Sequence, residues 1–297
     1  MRIVLAGSSG LIGSALAPEL SRAGHTVLRL VRRAPQAADE RRWDPPAGRI
    51  EPGALDGADA VINLCGAGIG DARWTEARKQ QLRDSRETPT EVLAAAVAEH
   101  RIPVLVNASA VAFYGDTGDR AVDETAPAGD TFLARLCRDW EAGTVAATAA
   151  GARVALLRTG LVLAGRGGLF GRLRPLFAAG LGGRLGGGAQ FWPWISLADV
   201  LSAIRYVTEH ATLSGPVNLT GPAPVTNAEF TRTLGELMRR PAPWAVPGFA
   251  LKPVFGIQLV DELMLISQRV LPKVLLRDGF AFAHSSLRDA LAAALAR

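Results

Sequence analysis

The chain opens on a strand-length apolar run, Arg2-Ile3-Val4-Leu5-Ala6, that leads into a glycine-rich turn. Apolar residues then recur at helical spacing from Leu11 to about Ala23, and Gly24 stops the pattern. Thr26-Val27-Leu28-Arg29-Leu30-Val31 reads as a second strand, and residues 59–64, 103–108 and 153–158 read as further strands. Between them the spacing predicts one long helix from Glu76 to Glu99 and another from Phe132 to Ala149. Strands that alternate with helices of this length build βαβ units and a mostly parallel sheet buried on both faces. The expected fold class is therefore α/β, a doubly wound parallel sheet of the NAD(P)-binding Rossmann type with a smaller, mainly helical C-terminal lobe.

The texture changes after Arg158. Residues 160–188 carry ten glycines from Gly165 to Gly188, which predicts a mobile loop or a segment passing close to a ligand. Proline-rich joints follow, at Pro222, Pro224, Pro241, Pro243, Pro247 and Pro253. The expected division is a Rossmann domain over residues 1–225, with a substrate-lobe insertion around 160–195, and a small helical lobe over 226–297.

The glycines of the first turn give the pattern its chemistry. Gly7-Ser8-Ser9-Gly10-Leu11-Ile12-Gly13 is a GxxGxxG placed between strand and helix. Gly7 permits the tight turn, Gly10 admits a pyrophosphate to the backbone, and Gly13 lets the helix pack on the sheet. The helix N-terminus then offers free N–H groups and the positive end of its dipole to the phosphates. An acid at the end of the second strand would select NAD by binding the ribose 2′-hydroxyl, whereas a base there accommodates a 2′-phosphate. Leu30-Val31-Arg32-Arg33 has no acid until Asp39, so NADP is the expected cofactor. The alternative is that Arg32 and Arg33 are solvated surface residues.

Composition narrows the partners. The chain has 297 residues, 48% of them hydrophobic and 21% charged, which suits a large buried core. Its net charge is +5, but the arginines are scattered rather than grouped in a patch, so nucleic acid is not an expected partner. Two isolated cysteines, Cys65 and Cys137, and four separated histidines form no metal-binding spacing. No apolar run approaches the length that spans a membrane. The expected setting is the cytoplasm and the expected partner a small-molecule substrate, with the oligomeric state open.

Several segments together resemble the extended short-chain dehydrogenase/reductase superfamily, and more narrowly its atypical epimerase-family proteins. They are the GxxGxxG turn, Val61-Ile62-Asn63-Leu64-Cys65-Gly66-Ala67-Gly68, Arg73-Trp74-Thr75 with Lys79, Ser85-Arg86, residues 109–115, Asp123-Glu124, Trp140-Glu141, residues 157–160, Trp194-Ile195-Ser196-Leu197-Ala198-Asp199 and Pro216-Val217-Asn218-Leu219. The tail from Pro241 to Leu291 looks like the C-terminal domain of unknown function typical of that subgroup. The resemblance spans nearly the whole chain. It implies an NADP-binding Rossmann fold whose cofactor contacts include Gly7, Ser8, Ser9, Gly10, Leu11, Ile12, Gly13, Arg32, Arg33, Leu64, Cys65, Gly66 and Arg158. It does not imply a reaction.

Superfamily catalysis relies on a serine with Tyr-x-x-x-Lys, whose tyrosine exchanges a proton with the substrate oxygen. Lysine occurs only at Lys79, Lys252 and Lys273, and tyrosine only at Tyr114 and Tyr206, so that motif is absent. By spacing to Trp140-Glu141, Leu133 and Cys137 fill its two places. Ser109 as hydrogen-bond donor to a carbonyl and Tyr114 as proton donor are the catalytic candidates, with Tyr114 as a packed aromatic the alternative. An unassisted tyrosine, with pKa about 10, donates a proton at neutral pH but is a poor base, which favours carbonyl reduction. Lys79 and Arg86 are placed either to meet an anionic substrate or to form a solvated helix face. Asp123-Glu124 forms a loop facing the site or exposed to solvent, and Gln190 with Trp192-Pro193-Trp194 is placed to wall a pocket. Relatives carry a histidine where Ser196 stands. Two readings follow: an NADP-dependent oxidoreductase or epimerase-like enzyme, or a cofactor-binding regulatory or interaction protein without hydride chemistry. Links of some members to cell or plastid division lend the second reading thin support.

Overall fold

The computed structural model describes residues 1–296. In chain order its first half comprises β1 (Arg2–Ala6), α1 (Leu11–Arg22), β2 (Thr26–Val31), β3 (Glu40–Asp44), β4 (Arg49–Ile50), β5 (Ala60–Asn63), α2 (Glu76–Asp84), α3 (Glu87–Glu99), β6 (Val104–Ala110), α4 (Phe132–Ala142), α5 (Val145–Ala149) and β7 (Arg153–Thr159). There follow β8 (Leu161–Leu163), α6 (Gly168–Ala178), β9 (Gly183–Leu185), β10 (Phe191–Trp192), β11 (Trp194–Ser196), α7 (Leu197–Glu209), β12 (Gly215–Leu219), β13 (Val225–Thr226), α8 (Asn227–Met238), β14 (Trp244–Val246), α9 (Gly248–Phe255), α10 (Ile257–Leu259), a π-helical turn Val260–Met264, α11 (Lys273–Arg277) and α12 (Leu287–Leu295).

One eight-stranded sheet runs β12-β7-β6-β5-β1-β2-β3-β4, parallel throughout except for β4, which pairs antiparallel with β3. Alternation along β1 divides two cores. Ile3 and Leu5 pack with Leu16 and Leu20 of α1 and Val200 and Ile204 of α7. Val4 and Ala6 face the other way, against Leu93 and Val97 of α3 and Ala147 of α5. This is the expected Rossmann-type fold, with apolar strands because both faces are covered.

Local structure departs from the sequence reading in three places. The long helix 76–99 is two helices, α2 and α3, because Pro89 has no N–H for the Ser85 carbonyl one turn earlier. The helix 132–149 breaks at Gly143-Thr144, where the Thr144 hydroxyl donates to the Glu141 carbonyl at 2.7 Å. The glycine-rich stretch 160–188 contains an anchored helix, α6, whose Phe170 and Phe177 are buried with Trp194 and Phe230 in a third core. Positive φ at Gly167 and Gly168 turns the chain into that helix.

The C-terminal residues return to the main sheet. Val122 donates to Arg269 O at 2.9 Å and Leu271 to Val122 O at 2.8 Å, so residues 267–271 form a strap beside the loop that follows β6. Leu275 and Phe280 then join the core of the main sheet. Among the described residues no helix is long and apolar enough to cross a membrane.

The junction of β1 and α1 tolerates no side chain. A Cβ on Gly13 would stand 2.2 Å from the Gly7 carbonyl oxygen. Gly13→Ala therefore forces the helix away from the turn and is expected to cost about 1–3 kcal/mol in urea unfolding, the range for overpacking. Wild-type stability in that variant would disprove the close approach.

Candidate functional site

The chain leaves β1 toward β2 on one side and β5 toward β6 on the other, which opens a crevice at the carboxyl ends of β1 and β5. Gly7 lines it with φ +82°, and a Cβ there would lie 2.6 Å from the Leu64 carbonyl. Gly10 is open by comparison: its Cβ would meet only the Gly7 oxygen, at 3.5 Å. Gly10 caps α1 without a side chain, and the first turn carries no acid. The N–H groups of Leu11 and Ile12 thus point out of the helix end with no acceptor among the described residues, which is the arrangement that binds anions. Ser8 and Ser9 flank them, half-buried and exposed. The start of α6 closes over this turn, since Cβ atoms at Gly167 and Gly168 would lie 3.3 and 3.2 Å from the Leu11 methyls.

At the outer end, Arg32 and Arg33 have separate fates. Arg33 grips Glu40 of β3 with both terminal nitrogens, at 2.8 and 2.6 Å, and Gln36 N–H donates to the same carboxylate at 2.7 Å. These bonds hold Glu40 well below the usual carboxylate range, at about 2. The first acid of β3 is therefore saturated by protein donors. Arg32 is exposed, with no carboxylate partner among the described residues, and its charge reaches the Cys65 thiol. The inner wall is Leu64, Cys65 and Gly66. Asn63 supports it by accepting from Cys65 N–H at 3.1 Å while donating to Thr90 and Asn107.

Ser109 and Tyr114 do meet, but in a sealed network. Ser109 donates to Glu141 Oε1 at 2.6 Å, and Arg158 pairs with both oxygens of Glu141 at 2.8 Å. Arg158 Nη1 donates to the Tyr114 hydroxyl at 3.0 Å, and that hydroxyl donates to Asn218 Oδ1 at 2.7 Å. The Arg158 guanidinium also lies 3.4 Å from the Phe113 ring centroid. All of these residues are buried, with Ser109 at 3% and Tyr114 at 4% exposure. Burial raises the Tyr114 phenol above its ordinary range, against the pull of Arg158. Arg158, expected at the cofactor, instead has its guanidinium engaged inside the protein.

The remaining candidates spread out. Cys137 is buried and its thiol is pushed up to about 12 by burial, which makes it packing. Arg86 is not on a solvated face: it is buried, with Nη2 donating to Ala67 O at 2.9 Å. Lys79 reaches Glu76 at 2.9 Å. Asp123 pairs with Lys273 at 2.8 Å, while Glu124 turns inward to accept from the Asn218 and Val274 N–H groups. Gln190 donates to Leu185 O, and Trp192 and Trp194 are core residues of the helical lobe. A histidine does reach Ser196, but from elsewhere in the chain: His284 Nδ1 lies 3.0 Å from its hydroxyl. Glu141 and Asn218 are the polar residues whose part was not evident from the sequence. Their signal was the placement of Glu141 one turn after Cys137 on an otherwise apolar helix face.

Arg158→Met leaves the Glu141 charge buried without its partner. The expected loss is about 3–5 kcal/mol in urea unfolding, as for a broken buried ion pair. A loss below 1 kcal/mol would show that the pair contributes little to the fold.

The profile of the NAD dependent epimerase/dehydratase family matches residues 3–219, and that of a domain of unknown function, DUF1731, matches residues 246–294. Epimerase family protein Mb2239 of Mycobacterium bovis is 54% identical over 99% of this chain and 98% of its own length. Epimerase family protein SDR39U1 of Homo sapiens is 34% identical over 98% of each. The crystal structure of human SDR39U1 (isoform 2) with NADPH superposes with a TM-score of 0.91 at 31% identity, over 100% of this chain and 99% of that one. A UDP-N-acetylglucosamine 4-epimerase from Bacillus cereus, at 17% identity and TM-score 0.78, shares the fold. With a profile match over residues 3–219 and relatives this similar along almost their whole length, the chain belongs to the NAD dependent epimerase/dehydratase family.

Proposed function

We propose that this protein is an NADP(H)-dependent oxidoreductase or epimerase-like enzyme acting on a small molecule. The observation that carries the cofactor reading is the state of the two groups at the end of β2. Glu40, the buried acid beside that end, is saturated by Arg33, while Arg32 stands exposed without a carboxylate partner. A ribose 2′-hydroxyl finds no free acid there, and a 2′-phosphate finds a free guanidinium. The NADPH named for the human SDR39U1 structure supports the same choice, whereas a Thermus thermophilus UDP-glucose 4-epimerase of the same fold is described with NAD.

A second reading, a cofactor-binding regulatory protein, is favoured by one observation. The Ser109 and Tyr114 hydroxyls are committed to Glu141 and Asn218, so proton donation by Tyr114 requires that network to open. We place the two residues as supports of the sheet end beneath the site.

Two measurements test these readings. Calorimetry is expected to show NADPH binding about tenfold or more tighter than NADH, with the gap closing in Arg32→Ala, as befits one charge-assisted contact. Equal affinities in the wild type would sink the 2′-phosphate assignment. NADPH oxidation with a panel of carbonyl compounds is expected to show turnover that falls less than about tenfold in Tyr114→Phe, whereas loss of a general acid costs about 100-fold or more. The larger loss would make Tyr114 the proton donor, and no turnover on any compound would leave the regulatory reading ahead.

A further inference from the structure

Arg86 sits between α2 and α3, where the helix breaks, and its side chain runs inward to 7% exposure. Its contacts are all neutral. Nη1 donates to Leu82 O at 3.0 Å and Ser85 Oγ at 3.3 Å, Nη2 donates to Ala67 O at 2.9 Å, and the guanidinium lies 5.2 Å from the Trp140 ring centroid. No carboxylate pairs with it among the described residues. Glu141, the buried acid on α4, is taken by Arg158 and Ser109. Glu76 is taken by Lys79, and Glu87 feels the charge of Arg83 rather than Arg86. The other cation that acts on Arg86 is Arg78, which repels it. Burial lowers the guanidinium to about 10, against an opposing influence of the Cys137 thiol.

An unpaired buried cation is costly, and an incoming anion would relieve that cost. Three of the five N–H groups are used, which leaves Nε–H and one Nη2 hydrogen free to donate to a carboxylate or phosphate. The place is as telling as the charge. A Cβ on Gly66 would stand 3.1–3.4 Å from the guanidinium atoms, so the loop after β5 lies in close contact with them. That loop is the inner wall of the crevice, two residues beyond Leu64. Lys79 and Arg83 of α2 lie 5.5 and 5.1 Å from the Phe132 ring centroid, and Lys79 is already paired with Glu76.

We propose that Arg86 is the receptor for a carboxylate or phosphate group at the inner end of the crevice, and that the small molecule handled by this protein carries that group. The proposal rests on the reading of the crevice as a dinucleotide site. The dinucleotide's own phosphates are the other source of such oxygens, but the N–H groups of α1 and Arg32 are already placed for those.

The test uses the NADPH complex of the full chain, with malonate and inorganic phosphate as probes. Calorimetry and the Arg86 Nε–H NMR signal are followed in wild type, Arg86→Lys and Arg86→Gln. One probe is expected to bind the wild-type complex one to one and to shift the Arg86 signal, with affinity falling about tenfold or more in Arg86→Gln and less in Arg86→Lys, while NADPH affinity stays within about threefold. If NADPH affinity itself falls tenfold in Arg86→Gln and neither probe binds the complex, the anion is the cofactor's, and the substrate assignment is overturned. An Arg86 signal in wild type that neither probe moves while NADPH binds normally also overturns it, and this measurement needs no variant to fold. Failure of the wild type to bind NADPH would instead sink the dinucleotide reading.

Discussion

The pair between Arg158 and Glu141 ties helix α4 to strand ends that the sheet already sets side by side, with Ser109 and Asn218 the ladder partners of Arg158. Arg158 comes from β7, Glu141 from α4, Ser109 from β6, and Tyr114 passes the network on to Asn218 of β12. Two charges taken out of water must be matched almost completely, and here both carboxylate oxygens and the guanidinium nitrogens are engaged. The match fixes the height of α4 on the sheet. It thereby fixes where Cys137 and Trp140 lie, and with them the wall against which Arg86 rests. The crevice is thus set by a polar bolt beneath the sheet ends as much as by the glycine turn above them.

The parts of the fold that were legible in the sequence are those decided by local backbone chemistry. Gly7 and Gly13 declare themselves because no other residue fits 2.6 Å from Leu64 or 2.2 Å from the Gly7 oxygen. The strands declare themselves because burial on both faces demands continuous apolar runs. The helix breaks at Ser85-Arg86 and Gly143-Thr144 were harder, since neither carries a proline at the break itself. β3 went unseen because Glu40-Arg41-Arg42-Trp43-Asp44 alternates two buried residues among charges.

The site was legible only in part, for a different reason. A sequence shows that Ser109, Tyr114 and Arg158 stand near strand ends, but not which side of the strand they face. Ser109 is buried and Ala110, the next residue, is half-buried, so a shift of one position separates a group beneath the sheet from one at the crevice. For Arg86 the same blindness left two alternatives open, an anion contact or a solvated face, because its inward turn depends on a helix break and lies against a glycine twenty residues earlier.

The strap formed by residues 267–271, and the return of Leu275 and Phe280 to the main core, bear on how the chain is made. Asn218 Nδ2 donates to Leu271 O at 2.9 Å and Glu124 accepts from Val274 N–H, so a group on the edge strand β12 and one in the loop after β6 wait for partners more than fifty residues downstream. During synthesis β12 emerges before these partners do. Contacts this distant in sequence slow folding and lengthen the time that strand ends stand uncovered. β12 and the loop after β6 therefore gain these partners only after residues 271–274 have been synthesised.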